Sequence, residues 1–339
     1  MIWTNSAEEM TKNRSTAPVS VWKEWDVLDG NKVRAMVVIF RTSGCWWAKK
    51  EGCLMCGYNA ESDPHIGSAE IHEQLNDVKE AYSGEELVKI YTSGSFLDPR
   101  EIPREARREI FDAFHRAKRI LIETRPEFVI EDNVCDLPRE KLEIAMGLES
   151  ASDRTLAKCV RKGFSVKDYE KAAKFLNHAG IPIRTYLLLK PPFLTEKDAI
   201  EDCLKSISFA SRFSESISIN PVNVQKGTVV EFLWKKGDYR PPWLWSLVEV
   251  LKRAKVEKET RVFSSPTGGG SMRGAHNCFR CDGEVLRALE RYTFSQDEKE
   301  FDGLNCSCMN RWKAILEIQE FMGTSVDIDR YMNADWESE

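Results

Sequence analysis

Short apolar runs alternate with longer amphipathic segments along most of this chain. Six runs have the length and the β-branched content of buried strands. They are Val33–Phe40, Leu87–Gly94, Arg119–Pro126, Leu142–Ser150, and the runs that begin at Ile181 and Ser216. The intervals between them carry helical periodicity, and one helix is expected to begin after a serine cap at Ser165 and to close on Gly180.

This alternation predicts an α/β fold, a partial (β/α)6 barrel of the TIM type. We expect residues 1–29 to form an N-terminal segment and residues 30–235 to form the barrel. Residues 236–339 are expected to form a small C-terminal extension that binds metal and substrate. In parallel barrels the reactive groups lie at the carboxyl ends of the strands. The loops that follow the six runs are therefore where chemistry is expected.

Composition narrows the class of protein. The chain has 339 residues, of which 42% are hydrophobic and 30% are charged, as in a soluble globular protein. No apolar run reaches membrane-spanning length, and the first residues do not resemble a secretory signal, so we expect a cytoplasmic protein without membrane contact. The net charge of -5 argues against a uniformly basic nucleic-acid binder, although it leaves room for a local basic patch.

Ten cysteines are many for a chain in a reducing compartment, where grouped thiols indicate metal ligation or catalysis. Cys45, Cys53 and Cys56 follow the first run with the spacing Cys-x7-Cys-x2-Cys. An iron-sulfur cubane normally takes four thiolates, so three leave either a distant fourth cysteine or one iron open to a non-protein ligand. A zinc knuckle and unpaired reduced thiols are the alternatives. Trp46 and Trp47 could wall such a cluster, but packing is the commoner role of an aromatic pair.

A second cysteine group lies in the tail. Its spacing suits a closed tetrahedral zinc site built from Cys278, Cys281, Cys306 and Cys308, in which His276 could replace one ligand. An auxiliary iron-sulfur cluster or four reduced thiols would fit the same spacing.

Two further stretches have residues that suit nucleic-acid contact. The glycine-rich stretch at residues 264–277 could approach a phosphate or a flat base, or could be a flexible loop. Charges at residues 100–108 and at Arg161 could line a nucleic-acid path, but they are interpreted as helix surface charge.

Several motifs in this order resemble those of the radical S-adenosylmethionine (SAM) superfamily, in the branch that contains the elongator catalytic subunit. Beyond the three cysteines they are "YTSGSFLD" from Tyr91, "GLES" from Gly147, "LLLKPPFLTEKDA" and "INPVNVQKGTVVEFL". The resemblance covers roughly residues 30–235. Two features depart from the usual pattern of the superfamily. The spacing between the first two cysteines is longer than in the usual Cys-x3-Cys-x2-Cys motif, and Met55 occupies a position where an aromatic residue is common.

The resemblance implies that Cys45, Cys53 and Cys56 bind a [4Fe-4S] cluster and that SAM binds beside it, yielding a 5′-deoxyadenosyl radical. It also implies the cofactor-binding residues: Gly57 and Tyr58 after the last cysteine, Ser93, Gly94 and Ser95 for the methionine amino group, Glu149 for the ribose or ammonium end, and Arg184 for the carboxylate. The "CFRCDGEV" segment resembles the cysteine pair that binds zinc after the barrel in the elongator branch. No further catalytic residue is indicated.

Within the superfamily, the x7 spacing, the SGSF segment and the cysteine-bearing tail most resemble the archaeal radical enzymes of archaeosine biosynthesis. In that family a partner transferase attaches lysine to the nitrile of a 7-deazaguanine in the tRNA D-loop. The radical enzyme then acts as a lyase that cleaves the lysine C–N bond and leaves the archaeosine amidine. The implied partners are tRNA, the lysine-transferring archaeosine synthase subunit and an electron donor such as a ferredoxin.

Two alternatives stay open. One is another radical SAM enzyme that modifies RNA, of the elongator type, although no extension of acetyltransferase length follows the expected barrel. The other is a non-catalytic iron-sulfur and zinc protein that binds tRNA. The cofactor motifs at residues 93–95, Glu149 and Arg184 argue against a pure binder, which has no need to hold a methionine group.

Overall fold

The computed structural model describes residues 15–257 and 259–322. Eight strands form one sheet in the order of the sequence. They are β1 Ser20–Leu28, β2 Asn31–Ile39, β3 Leu87–Tyr91, β4 Arg119–Thr124, β5 Leu142–Glu149, β6 Ile183–Leu189, β7 Ser216–Pro221 and β8 Arg261–Phe263. Strands β1 and β2 are antiparallel, whereas β2 to β5 pair in parallel, as do β6 to β8.

Helices lie between the parallel strands, which confirms the predicted α/β class. The longer ones are α1 Ser68–Ala81, α2 Arg104–Ala113, α3 Val166–His178, α4 Glu196–Ala210, α5 Val229–Lys236, α6 Leu244–Arg253, α7 Asp282–Ser295 and α8 Cys308–Met322. The six predicted strands correspond to β2 through β7, while β1 and β8 are additional to the prediction. No helix in the described ranges has both the length and the apolar character needed to cross a bilayer.

The chain forms two compact units. Among the described residues, the first comprises residues 15–51, 58–146 and 171–183. The second comprises residues 52–57, 147–170, 184–257 and 259–322. Of the predicted N-terminal segment and C-terminal extension, residues 1–14 and 323–339 lie outside the described residues.

A tight turn joins β1 to β2 in the first unit. Leu28 pairs with Asn31, so Asp29 and Gly30 form a two-residue loop. Both have positive φ angles, 49° and 77°. An Asp-Gly pair suits this turn because both central positions of a type I′ turn need a left-handed backbone. The hairpin therefore joins residues on either side of the predicted boundary at residue 30.

The helices of the first unit bury one face each against its strands. In α1 the buried positions Ile71, Leu75 and Val78 recur at helical spacing, and Gln74 is buried among them. The Gln74 side chain accepts a hydrogen bond from the Arg41 backbone N–H and donates one to the Arg41 carbonyl, at 2.9 Å each. A polar residue on the apolar face thus holds the chain where it leaves β2.

Helix α3 begins and ends as predicted. The Ser165 hydroxyl accepts a hydrogen bond from the backbone N–H of Asp168, whose carboxylate accepts one from the Ser165 N–H. Gly180 follows the helix with a φ of 69°. The N–H of Ile181 then bonds to the carbonyl of Leu176, a bond that closes the last turn.

Lys89 is a charged residue buried within a strand of the first unit. Its neighbours in β3, Val88 and Ile90, point to the opposite face of the sheet. Lys89 is 5% exposed, and its ammonium contacts the carboxylates of Asp26, at 2.6 Å, and of Glu24. Two carboxylates on β1 thereby share one cation on β3.

Replacing Lys89 by methionine should destabilise the protein by about 3–5 kcal/mol, because it leaves two buried or half-buried carboxylates without their cation. Thermal denaturation of Lys89→Met measures this loss. Lys118→Met is the control, because Lys118 forms an exposed ion pair with Glu86. Equal midpoints for both variants would contradict the prediction.

Candidate active site and metal centre

Cys45, in the loop that follows β2, is buried against the loop that follows β3. A Cβ atom at position 94 would lie 2.7 Å from Cβ of Cys45 and 2.7 Å from a carboxylate oxygen of Glu101. Cys45 itself is 8% exposed. Position 94 therefore requires glycine for reasons of space, and the motif residues Cys45 and Gly94 form one packed contact.

A buried carboxylate holds the backbone of the Ser-Gly-Ser motif. The N–H groups of Gly94 and Ser95 donate to the two oxygens of Glu101, at 2.9 and 2.6 Å. The Thr42 hydroxyl donates to the same carboxylate at 2.8 Å. Glu101 is 1% exposed, and burial raises the pKa of its carboxyl although these hydrogen bonds work in the opposite direction. The loop is fixed by the protein before any ligand arrives.

The motif side chains have further partners in the first unit. The Ser93 hydroxyl lies 2.8 Å from that of Ser62 and 3.4 Å from the carbonyl of Tyr58. The Ser95 hydroxyl accepts a hydrogen bond from the backbone N–H of Arg125 at 3.1 Å. Three predicted cofactor residues, Tyr58, Ser93 and Ser95, are therefore tied to neighbouring loops by short polar contacts.

The two tryptophans beside Cys45 pack with each other and with arginine. Their rings meet edge to face with centroids 5.6 Å apart. The Arg125 guanidinium lies 5.8 Å from the ring of Trp46 and 5.7 Å from that of Trp47. Trp46 also donates its indole N–H to Glu127 at 3.1 Å. This aromatic and cationic packing supports the loop that carries Cys45.

In the second unit, Cys53 and Cys56 lie on a short turn in which the Cys56 N–H bonds to the Cys53 carbonyl. The residues between them are anchored in the core, where Leu54 and Met55 belong to a hydrophobic cluster and Cys53 packs on its edge. Met55 thus occupies an apolar environment at the position where related motifs carry an aromatic residue. After the turn, the N–H of Gly57 donates to the Gln225 side chain at 2.5 Å.

Glu149 ends β5 in a strained conformation. Its φ is 68°, which is uncommon for a residue with a side chain. Its carboxylate pairs with the Lys162 ammonium at 2.6 Å. A Cβ atom at position 147 would lie 2.4 Å from the same carboxylate. The Gly147–Ser150 motif therefore needs its glycine so that the carboxylate can fold back over the strand end.

Arg184 is buried in β6 with its guanidinium held between neighbouring strands. Its Nε donates to the hydroxyl of Ser216 in β7 at 3.2 Å, and the group lies 5.3 Å from the ring of Phe263 in β8. It is 5% exposed. These contacts orient a planar cation that can bind a carboxylate through two parallel hydrogen bonds.

The four tail cysteines converge on one point. Sulfur–sulfur distances are 3.8 Å for Cys278 and Cys281, 3.7 Å for Cys278 and Cys306, and 3.6 Å for Cys281 and Cys308. All four sulfur atoms lie within 4.8 Å of one another. His276 is not part of this group; its Nδ1 lies 2.8 Å from the Gly274 carbonyl.

The surroundings of these cysteines favour a bound cation. Burial raises the pKa of Cys278, but hydrogen bonds from the N–H groups of Arg280 and Cys281 outweigh it and bring the value to about 6. Burial raises the pKa of Cys308 to about 11 and also raises that of Cys281. The indole N–H of Trp245 donates to Cys308 at 3.2 Å. A metal ion that bound all four sulfur atoms would hold them deprotonated together.

Sequence reasoning missed three residues that shape these loops, namely Glu101, Lys162 and Gln225. Its interpretation of residues 100–108 as surface charge is wrong for Glu101 and Arg107, which are 1% and 0% exposed. The sequence signal that could have indicated burial of Glu101 and Arg107 is their position among apolar residues such as Ile102. Lys162 lies beside Arg161, and nothing in that stretch indicates that it pairs with Glu149.

Comparison with known proteins gives a consistent result. The family model of the Radical SAM superfamily matches residues 39–204. The chain is 40% identical to the archaeosine synthase subunit beta of Methanosarcina acetivorans, over 90% of this chain and 91% of that protein. It is 38% identical to the archaeosine synthase subunit beta of Thermococcus kodakarensis, over 88% of this chain and 97% of that protein.

Among solved structures, the Elp3 of Methanocaldococcus infernus with an N-terminal deletion matches with a TM-score of 0.50. The match has 19% identity and covers 70% of this chain and 60% of that one, so it bears on the fold alone. The fold and the matched family define the class: the chain belongs to the radical SAM superfamily. Within it, the likeness over nearly the whole length is to the archaeosine synthase beta subunits. The predicted superfamily and the partial-barrel fold class are confirmed.

Glu101→Gln should lower the free energy of unfolding by about 1–3 kcal/mol, because the amide nitrogen would face a backbone N–H and leave one buried donor unsatisfied. Denaturant titration measures this loss. The matched control is Glu105→Gln, a change at an exposed glutamate in α2, which should leave the unfolding transition at the same denaturant concentration as in the parent. A Glu101→Gln protein as stable as the control would show that this carboxylate does not hold the loop.

Proposed function

We propose that this chain is the radical-forming subunit of an archaeosine synthase and that it acts on tRNA. The observation that carries the proposal is the likeness to two archaeosine synthase beta subunits, at 40% and 38% identity over nearly their full lengths. The substrate in this proposal is a D-loop 7-deazaguanine to which lysine has been attached. The enzyme cleaves the C–N bond of that lysine as a lyase and leaves the amidine of archaeosine.

We infer that Cys45, Cys53 and Cys56 would hold a [4Fe-4S] cluster and that SAM would bind beside it. The chemistry of the donor set supports this, since three thiols lie in the segment that follows β2, where Cys45 packs on position 94 and Cys53 on the edge of a hydrophobic cluster. When bound, the cluster and SAM would supply one-electron reducing chemistry and a radical able to abstract hydrogen from unactivated carbon.

The chain's own residues position the cofactor. The loop of Ser93, Gly94 and Ser95 receives the methionine amino group. Glu101 holds that loop by accepting hydrogen bonds from two of its backbone N–H groups. Arg184 binds the carboxylate, because Ser216 and Phe263 hold its guanidinium flat. Such pre-set geometry removes the cost of ordering these groups during the reaction.

The remaining residues assigned to the cofactor in this proposal are Glu149, Gly57 and Tyr58. Glu149 binds the ribose or the ammonium end, and its left-handed backbone aims the carboxylate. Gly57 and Tyr58 follow the last cysteine and contact the cofactor along the backbone; the Gly57 N–H donates to the Gln225 side chain.

We infer that the tail cysteines hold zinc. A tetrahedral ion with Zn–S bonds of about 2.3 Å places its sulfur ligands about 3.8 Å apart. The three sulfur–sulfur distances here are 3.6, 3.7 and 3.8 Å. In an iron-sulfur cubane each thiolate binds a different iron atom, so the sulfur atoms would lie farther apart. In this proposal zinc stabilises the C-terminal extension through four cysteine ligands, and His276 is not a ligand.

The proposal includes partners. The name "subunit beta" of the two relatives supports a second subunit, which in this proposal transfers lysine to the deazaguanine. tRNA is the shared substrate, and a ferredoxin or a similar low-potential donor reduces the cluster. We place the reaction in the cytoplasm.

Cys53→Ala should abolish the brown cluster absorbance and all cofactor cleavage, because the cluster loses one of three ligands. The measurement is anaerobic reconstitution and reduction, followed by chromatography of 5′-deoxyadenosine and of the tRNA bases. It is made with and without tRNA that carries the lysine-modified deazaguanine. Cys135→Ala is the matched control, since Cys135 is an exposed cysteine outside both groups.

In the parent protein, that tRNA should stimulate cofactor cleavage and acquire an amidine base. If the rate of SAM cleavage is the same with and without this tRNA, the proposed substrate is wrong, although the protein is still a radical enzyme. A fully clustered protein that cleaves no SAM would favour a non-catalytic tRNA-binding protein.

Cys278→Ala should remove the tail metal and lower the thermal midpoint while cofactor cleavage stays measurable. Metal analysis should give about one zinc per chain in the parent and none in this variant, as expected for a four-thiolate structural site. Cobalt substitution should produce the intense visible bands of a tetrahedral thiolate site in the parent alone. If the variant instead lost the iron-sulfur absorbance first, the two metal assignments would be reversed.

A further inference from the structure

Phe279 lies between the two cysteines of the cysteine knuckle, which we define as residues 276–281. Its φ is 67°, a left-handed conformation that glycine adopts freely and that a residue with a Cβ atom resists. The ring gains little burial in return, because 52% of the side chain is exposed. Neither local backbone preference nor core packing explains a phenylalanine at this position.

The protein fixes this conformation through one carboxylate. Asp282 accepts hydrogen bonds from the backbone N–H groups of Asn277, Cys278 and Phe279, at 2.8, 3.1 and 2.8 Å. Asp282 is 3% exposed and begins α7. Phe279 therefore projects from a rigid turn.

One face of the Phe279 ring is already covered. The ring stacks on the imidazole of His276 with centroids 4.9 Å apart and planes 12° from parallel. His276 is 6% exposed and is held by the Gly274 carbonyl. The buried imidazole of His276 therefore covers one face of the Phe279 ring and fixes its orientation. The other face of the Phe279 ring is left for a ligand.

Two arginines flank the knuckle in a chain whose net charge is -5. The carboxylate next to them, Asp282, is buried and is engaged by the three backbone N–H groups. Arg280 is exposed beside Phe279. The Arg240 guanidinium donates to the carbonyls of His276 and Asn277, at 2.7 and 3.3 Å, which places a second cation against the knuckle.

We propose that the knuckle is a stacking platform on which Phe279 takes an unpaired base of the tRNA, with Arg280 on the adjacent phosphate. An exposed, pre-oriented aromatic ring among cations is the arrangement that binds single-stranded nucleotides. The exposed Arg280 next to the open ring favours a phosphate-bearing occupant over an apolar protein surface. This inference rests on the proposed action on tRNA and identifies a contact outside the cofactor pocket.

The test is binding of a fluorescently labelled tRNA transcript to the full-length, metal-reconstituted protein, followed by anisotropy at several KCl concentrations. Phe279→Ala and Phe279→Gly should weaken binding roughly 5- to 100-fold, the usual loss for one stacked base, and Phe279→Trp should retain it. Phe279→Gly should keep or raise the thermal midpoint because glycine relieves the left-handed strain. Arg280→Ala should reduce the slope of log affinity against log salt by about one phosphate contact.

Ile318→Ala is the matched control, because Ile318 is an apolar residue of α8 that is 54% exposed; its affinity should equal that of the parent. If all Phe279 variants bind tRNA as tightly as the parent, the ring does not stack on a tRNA base, and the proposed stacking platform is wrong. A protein surface would then be the occupant of the knuckle. This result would not bear on the proposed enzyme activity. A Phe279→Gly protein with a lower midpoint and less zinc overturns it too, since the ring would then be structural. A parent protein that binds no tRNA speaks against the proposed function itself.

Discussion

Parallel pairing of the strands is the constraint on which the functional loops depend. In the first unit, β2 and β3 run in the same direction, so the loops carrying Cys45 and the Ser-Gly-Ser motif leave the same edge of the sheet. In the second unit, β6, β7 and β8 are parallel in the same way. The loop after β7 therefore meets the glycine-rich loop after β8, and the Val224 N–H bonds to the Arg273 carbonyl at 2.7 Å. The cysteine tail is thus joined to the loop whose Gln225 holds Gly57.

Buried charges give these loops their rigidity. Glu101 holds two backbone N–H groups, and Asp202 accepts hydrogen bonds from Ser150 and Thr155 at 3.0 and 2.9 Å behind the motif that contains Glu149. Burial raises the pKa of both carboxyls, which is the cost of placing a charge away from water. Hydrophobic replacements would make a more stable scaffold, but they would leave the loop amides without partners. The arrangement favours a defined loop conformation over maximal stability.

The sequence predicted what depends on local pattern, and it missed what depends on distant partners. Strands β2 to β7 are apolar runs and were found, whereas β1 mixes tryptophan with charged residues and β8 has three residues, too few for a periodic signal. The cysteine spacing predicted the tail cluster because four ligands within two short segments need little tertiary information. Glu101 and Lys162 went unrecognised because their partners lie in other loops, and only the folded chain reveals a charge as buried.

Two left-handed residues of this chain bear side chains on which its proposed contacts depend. Among the described residues, Asp29 and Gln296 are left-handed for common reasons, a hairpin turn and the end of α7. Arg161, Lys190 and Phe193 share this conformation, as do Glu149 and Phe279. Such conformations cost of order 1–3 kcal/mol each and persist only where surrounding contacts enforce them. Glu149 is held by Lys162, and the Phe279 N–H donates to Asp282. At these two positions the strain coincides with a side chain that must be aimed, the predicted cofactor carboxylate and the exposed ring of the knuckle.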